Sequence, residues 1–199
     1  MLFIFVPMPV LHIIGGPNGA GKTTGAYTLL PGIVDCKEYV NADEIARGLS
    51  PFNPEGVSFE AGRIMLRRIS ELIEHNETFA IETTLTTRHY VNLIREGRER
   101  GYEINLFFFW LDSAELSIDR VKKRVAKGGH NIPADIIRRR YPKGLKNLVN
   151  LFIPICDHWM VVNNSGDAPI MVAEGNGIAS ANVVDKDIWN KILQNANNR

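Results

Sequence analysis

Ten consecutive residues, Gly15-Gly16-Pro17-Asn18-Gly19-Ala20-Gly21-Lys22-Thr23-Thr24, carry the full G-x-x-x-x-G-K-[ST] spacing directly after the apolar run 9–14. These residue types at this spacing make a phosphate-binding loop. Glycines let backbone N–H groups turn inward on phosphate oxygens, Lys22 reaches the outer phosphates, and the Thr23 hydroxyl ligates magnesium. A helix expected from this point on adds its positive end. The ligands implied are ATP and Mg2+, held by Gly16, Pro17, Asn18, Gly19, Ala20, Gly21, Lys22, Thr23 and Thr24, with Thr23 as the metal ligand.

A bound triphosphate does not name a reaction, so polar residues at strand ends must decide it. In open α/β sheets ligands sit at the carboxyl ends of the strands, and three short motifs fall there. Asn41-Ala42-Asp43 follows the second strand-like run, where Asp43 can act as base or orienting group toward an acceptor hydroxyl. The bland alternative is that Asp43 caps a helix beginning at Glu44. Glu82-Thr83-Thr84 ends the third run, where Glu82 can hold a magnesium-bound water or an acceptor hydroxyl and Thr84 can bond a substrate; otherwise the segment is a turn satisfying its own backbone. Asp112, after the apolar run 106–111, mimics a magnesium-holding acid but equally reads with Ser113 as a helix cap.

Basic residues form a fourth group. Arg120, Lys123, Arg124 and Lys127 fall at spacings of three and four and share one helix face, and Arg138-Arg139-Arg140 follow after Gly128-Gly129-His130. A solvated face is the ordinary explanation. The glycine hinge between the two clusters suggests instead a lid whose arginines neutralise charge on a transferring phosphoryl group.

Positioning these groups requires a particular scaffold. Strand-like runs at 9–14, 38–41, 79–83, 103–111 and 159–163 alternate with helical patterns at 22–30, 59–76, 88–100, 113–127, 136–151 and 185–195. Several runs are continuously apolar, as strands covered on both faces are. Alternation predicts a three-layer α/β/α P-loop fold with a five-stranded, mainly parallel sheet and a helical lid at about 113–145. Pro142 should kink or interrupt its helix, and 169–174 could return as a further strand.

Bulk properties narrow the options. At 199 residues, one domain spanning 1–199 is the default. Lys plus Arg number 23 against 22 Asp plus Glu, which gives no support for a nucleic-acid partner. Cys36 and Cys156 have no ligand spacing and read as free thiols in a reducing compartment. The apolar opening 1–6 lacks a basic flank and is too short to span a membrane, so the chain reads as cytoplasmic.

In the order of these motifs the chain resembles the zeta-toxin-like kinases, a branch of the phosphate-loop kinases shaped like adenylate kinase. The matching segments are 15–24, Val40-Asn41-Ala42-Asp43-Glu44, Ile81-Glu82-Thr83-Thr84-Leu85 and 120–141. The resemblance implies a kinase for a small-molecule hydroxyl, with Asp43 as base, Glu82 and Thr84 against the acceptor, and Lys22 with Arg124 or Arg120 stabilising the transferred group. In the toxins the acceptor is UDP-N-acetylglucosamine, and a toxin role implies a neutralising antitoxin partner. The chain departs from the toxins at His130, where they carry a second lid arginine, and at Thr86, where some carry a basic residue; Arg138, Arg139 or Arg140 could compensate. A kinase for a nucleoside, an antibiotic or a nucleic-acid end, and an ATP-hydrolysing regulator, are the competing readings.

Overall fold

The computed structural model describes residues 8–32, 34–178 and 180–197; the apolar opening 1–6 lies outside them. In chain order the elements are β1 (Val10–Gly15), α1 (Lys22–Gly32), β2 (Glu38–Val40), α2 (Ala42–Leu49), α3 (Ser58–Glu74), β3 (Phe79–Thr83), α4 (His89–Glu99), β4 (Glu103–Trp110), α5 (Ala114–Val125), α6 (Ala134–Asn147), β5 (His158–Asn163), β6 (Ile170–Asn176), β7 (Ser180–Val183) and α7 (Lys186–Asn197). Among the described residues they build one sheet of seven strands in the order β2-β3-β1-β4-β5-β6-β7. The expectation of five strands is corrected: β2 to β5 pair in parallel around β1, and β6 and β7 extend the sheet antiparallel.

Side chains alternate across this sheet, so register decides which residues share a face. Ile14 stands opposite Glu82 and Phe107, and Tyr39 opposite Ala80. Tyr39, Glu82, Phe107 and Phe109 therefore share the face on which α1 lies. On the opposite face Trp159 stacks on Trp189 of α7, ring centroids 5.4 Å apart, and Tyr141 of α6 donates to the Leu111 carbonyl. The core runs through both layers, with Ile13, Ile81, Phe108 and Trp110 almost wholly buried.

Two close approaches fix the loop end of this core. A Cβ on Gly25 would run into the Phe109 ring, and one on Gly16, whose φ is +146°, into the Phe109 carbonyl. Phe109 thus sets how closely α1 and the glycine loop approach the sheet. Gly25→Ala should cost about 1–3 kcal/mol through overpacking, read as a lowered urea midpoint at unchanged slope.

Buried polar groups leave a signature in acid. Burial pushes the His12 imidazole below its ordinary 6.5, with Glu103 pulling the other way, and its Nδ1 has no hydrogen-bond partner among the described residues. The unfolded chain takes up this proton as pH falls below 6.5, whereas the folded chain resists it to a lower pH. The stability is present above that value and is lost on acidification. The melting temperature should fall between neutral and mildly acid pH, and fall less in His12→Gln. Both cysteines are free and buried, and burial raises Cys36 to about 11 and Cys156 to about 12, so neither is a thiolate nucleophile at neutral pH.

Candidate active site

The glycine loop joins β1 to α1 at the carboxyl end of the parallel strands. Gly16, Gly19 and Gly21 have φ of 146°, 74° and 81°, a region that side chains with a Cβ rarely enter. Gly19 also lies against α5, where an added Cβ would sit 3.0 Å from the Ser117 carbonyl and 3.1 Å from the Arg120 Cβ. Ser117 donates to the Asn18 carbonyl, and Asn164, at the end of β5, donates to the Ala20 carbonyl at 2.7 Å. The loop is therefore braced from both sides.

Glu82 is the hub of the site. Its Oε1 lies 3.6 Å from Lys22 Nζ, and the two side chains are 9% and 7% exposed. Its Oε2 accepts from Thr23 Oγ1 at 2.8 Å, Tyr39 OH at 2.5 Å and Asn41 Nδ2 at 3.0 Å. Lys22 also donates to the Pro17 carbonyl at 3.0 Å. Burial first, then the Glu82 charge, pushes the Tyr39 phenol well above its ordinary range, so Tyr39 acts as a donor and never as a phenolate. The structure joins the loop lysine, the loop threonine and the end of β2 through this one carboxylate.

The segment after β2 departs from one reading of the sequence. The cap of α2 is Asn41, whose Oδ1 accepts from the Asp43 backbone N–H at 2.9 Å. The helix begins at Ala42, so Asp43 is not the cap and sits in the first turn. Its residue is exposed, and its carboxylate makes no hydrogen bond or ion pair among the described residues. It is therefore open to an incoming group.

Thr84 follows the end of β3 at a bend in which Leu85 takes a φ of 57°. Asn147 of α6 donates to the Leu85 carbonyl at 2.6 Å, and a Cβ on Gly144 would meet the Thr84 carbonyl at 2.8 Å. Docking of α6 holds the bend, leaving the Thr84 hydroxyl 3.0 Å from that of Thr86. Thr84, Pro17, Asn18 and Arg140 line one narrow crevice.

The basic residues separate accordingly. Arg120 donates to the carbonyls of Ser165 and Gly166, at 3.0 and 3.3 Å, and Arg124 to its own hinge at the His130 carbonyl, 2.7 Å. Arg138 pairs with Glu115 at 2.8 Å. Among the three consecutive arginines it is Arg140 that lines the crevice with the glycine loop. Asp112 is corrected as a metal-holding candidate: it pairs with Lys191 at 2.6 Å on the surface, while Ser113 caps α5 through the Leu116 N–H at 3.1 Å.

Two cavities lie near these groups, and one of them opens from the loop. One of about 700 Å³ is lined by Thr24, Gly25, Phe107, Phe109, Arg120 and Asn164 among others; its apolar floor and polar mouth are of a size for a nucleobase and ribose. The other, about 470 Å³, lies beside β2, α2 and α3 and includes Tyr39, Asn41 and Glu44. For magnesium, the Thr23 hydroxyl and the Glu82 carboxylate form an all-oxygen donor pair beside the phosphate cradle, which fits a cation that keeps several waters. Among the described residues no group of three or more His, Cys, Asp or Glu is arranged to hold a metal by itself, and no helix is long and apolar enough to cross a membrane.

A glycine loop between β1 and α1, a parallel core with β3 beside β1, and an acid ending β3 next to the loop lysine define a P-loop fold of the kinase type. The zeta toxin family profile matches residues 5–171, and the chain belongs to that family. An uncharacterized protein of Haemophilus influenzae is 31% identical over 127 residues, 63% of this chain and 88% of that protein. Among solved structures, a chain of the AvrRxo1-ORF1:-ORF2 complex superposes with a TM-score of 0.77 at 19% identity over 93% of this chain, which spans only 63% of that longer chain. A structure from the PezAT chromosomal toxin-antitoxin system of Streptococcus pneumoniae gives 0.62 at 16% identity, over 96% of this chain and 87% of that one.

Proposed function

We propose that the protein is an ATP-dependent phosphotransferase whose acceptor is a hydroxyl of a small molecule, with a UDP-N-acetyl-sugar as the first candidate. The observation that carries this reading is the convergence on Glu82: the loop lysine, the loop threonine and the Asn41 that leads into Asp43 meet at the carboxyl ends of parallel strands. A relative of the same fold, the AvrRxo1-ORF1:-ORF2 complex, has been solved with ATP, which supports ATP as the nucleotide here.

The backbone N–H groups of residues 18–24 and the Lys22 ammonium bind the phosphates, and the base enters the cavity beside Arg120 and Asn164. Magnesium, held by Thr23 with Glu82 behind it, would offset charge between the outer phosphates. Asp43 takes the proton of the acceptor hydroxyl as its oxygen bonds to the γ-phosphorus and the bond to ADP breaks. Glu82 and Thr84 hold the acceptor. Arg140 supplies the lid charge more directly than Arg120 or Arg124, whose guanidinium groups are committed to backbone carbonyls. The PezAT likeness supports a neutralising antitoxin as a protein partner.

Incubation with γ-labelled ATP and separate pools of sugar nucleotides, nucleosides and antibiotics, followed by mass detection, tests the reading. A phosphorylated sugar nucleotide is expected. Release of inorganic phosphate alone, in every pool, would assign the protein to the ATP-hydrolysing regulators instead.

A further inference from the structure

We infer that Tyr39 and Asn41 are positioning residues that hold the Glu82 carboxylate in place when Lys22 and Thr23 turn away from it toward a nucleotide. The inference rests on the reading that phosphates occupy the glycine loop. Glu82 has two sets of partners. Lys22 and Thr23 come from α1 and are the groups a phosphate loop gives to its ligand; Tyr39 and Asn41 come from β2 and its end and have no such second use. Once the first set leaves, Tyr39 and Asn41 are the protein donors left to the carboxylate among the described residues. Two neutral donors to Oε2 keep it aimed.

The donors are themselves fixed. Asn41 uses both ends of its amide: Oδ1 accepts from the Asp43 N–H at 2.9 Å, which turns Nδ2 to Glu82 at 3.0 Å and to Tyr39 OH at 3.2 Å. The Tyr39 ring packs edge-on against Tyr27, centroids 6.0 Å apart. One amide thus caps α2, sets the start of the helix that carries Asp43, and locks Glu82, so base and carboxylate are placed by the same residue. Lys22 is the ion-pair partner of Glu82 among the described residues; Thr23, Tyr39 and Asn41 contribute neutral donors.

Asn41→Asp separates the two duties of this residue. Asp is as good a helix cap as Asn, so a purely structural role predicts little change, but the substitution replaces a donor to Glu82 with a second carboxylate that repels it. Tyr39→Phe removes the other donor while keeping the ring. The measurements are kcat and the KM for ATP in phosphoryl transfer from γ-labelled ATP, beside a calorimetric titration with ADP, after thermal melting has confirmed folding. Each variant should lower kcat, Asn41→Asp more than Tyr39→Phe, while ADP affinity and the KM for ATP stay close to those of the wild type. Phosphoryl transfer should fall by about tenfold to a hundredfold, as when an outer partner of a site ligand is removed. A kcat equal to that of the wild type in both variants, or a loss confined to KM, would overturn the positioning role. Failure of the wild type to bind ADP would overturn the nucleotide reading beneath it, so the two failures are distinguishable.

Discussion

Asp43→Asn should lower phosphoryl transfer by about 10²–10⁴, the range of a positioned general base, while leaving ATP affinity close to that of the wild type. The reason lies in the geometry. Asp43 stands in the first turn of α2 with its carboxylate unengaged among the described residues, and the duty of capping that helix falls to Asn41. Removing its charge therefore leaves α2 and the Glu82 cluster intact. Steady-state rates at saturating ATP, beside a fluorescent-nucleotide titration, check both halves. Full activity in the variant would reject the assigned role, and a parallel loss of ATP affinity would move Asp43 from the acceptor to the nucleotide.

Lys22→Ala should act on nucleotide and fold together. Losing one preorganised charge from the phosphates predicts a fall of about 10²–10³ in transfer. The same change strands the Glu82 carboxylate. Breaking a buried ion pair from one side typically costs about 3–5 kcal/mol, but Thr23, Tyr39 and Asn41 still donate to Glu82, so the loss of stability should fall below that range. Adding Glu82→Gln should recover stability in urea without recovering transfer. A double variant as unstable as Lys22→Ala alone would show that the pair contributes nothing to the fold.

The glycine loop was legible because its mechanism is local: glycines of positive φ, a lysine and a threonine within ten residues need no tertiary partner to be recognised. Strands β1, β3, β4 and β5 declared themselves as apolar runs for the same reason. β7 did not, since Ser180-Ala181-Asn182-Val183 has no strand-like pattern of its own and exists by pairing Asn182 with Glu174 and Val183 with Ala173. Nor did the course of α6, for which Pro142 predicts a kink or an interruption and which is not interrupted there. The helix runs through the proline, docked at Gly144 and Asn147 on the bend after β3, and loosens only later, in a π-helical turn at Leu148–Phe152.

The site was legible residue by residue but not in its connections. Asn41, Asp43, Glu82 and Thr84 stand out as polar groups at strand ends. Tyr39 does not, because a tyrosine on a short strand reads as core, and only the register of β2 on β3 brings its hydroxyl to Glu82. The choice among the basic residues was equally closed to sequence: Arg120 and Arg124 share a helical face, yet the β5–β6 turn and the hinge engage them, while the packing of α6 delivers Arg140 to the loop.

The central claim, that a γ-phosphoryl group passes from ATP to an alcohol, is tested most directly by phosphorus balance. Phosphorus NMR of the protein with ATP, magnesium and a pool of sugar nucleotides follows every phosphate at once. The account predicts a new phosphomonoester signal rising in step with ADP, absent in Asp43→Asn. ADP matched entirely by inorganic phosphate, in the presence of every acceptor pool, would contradict it.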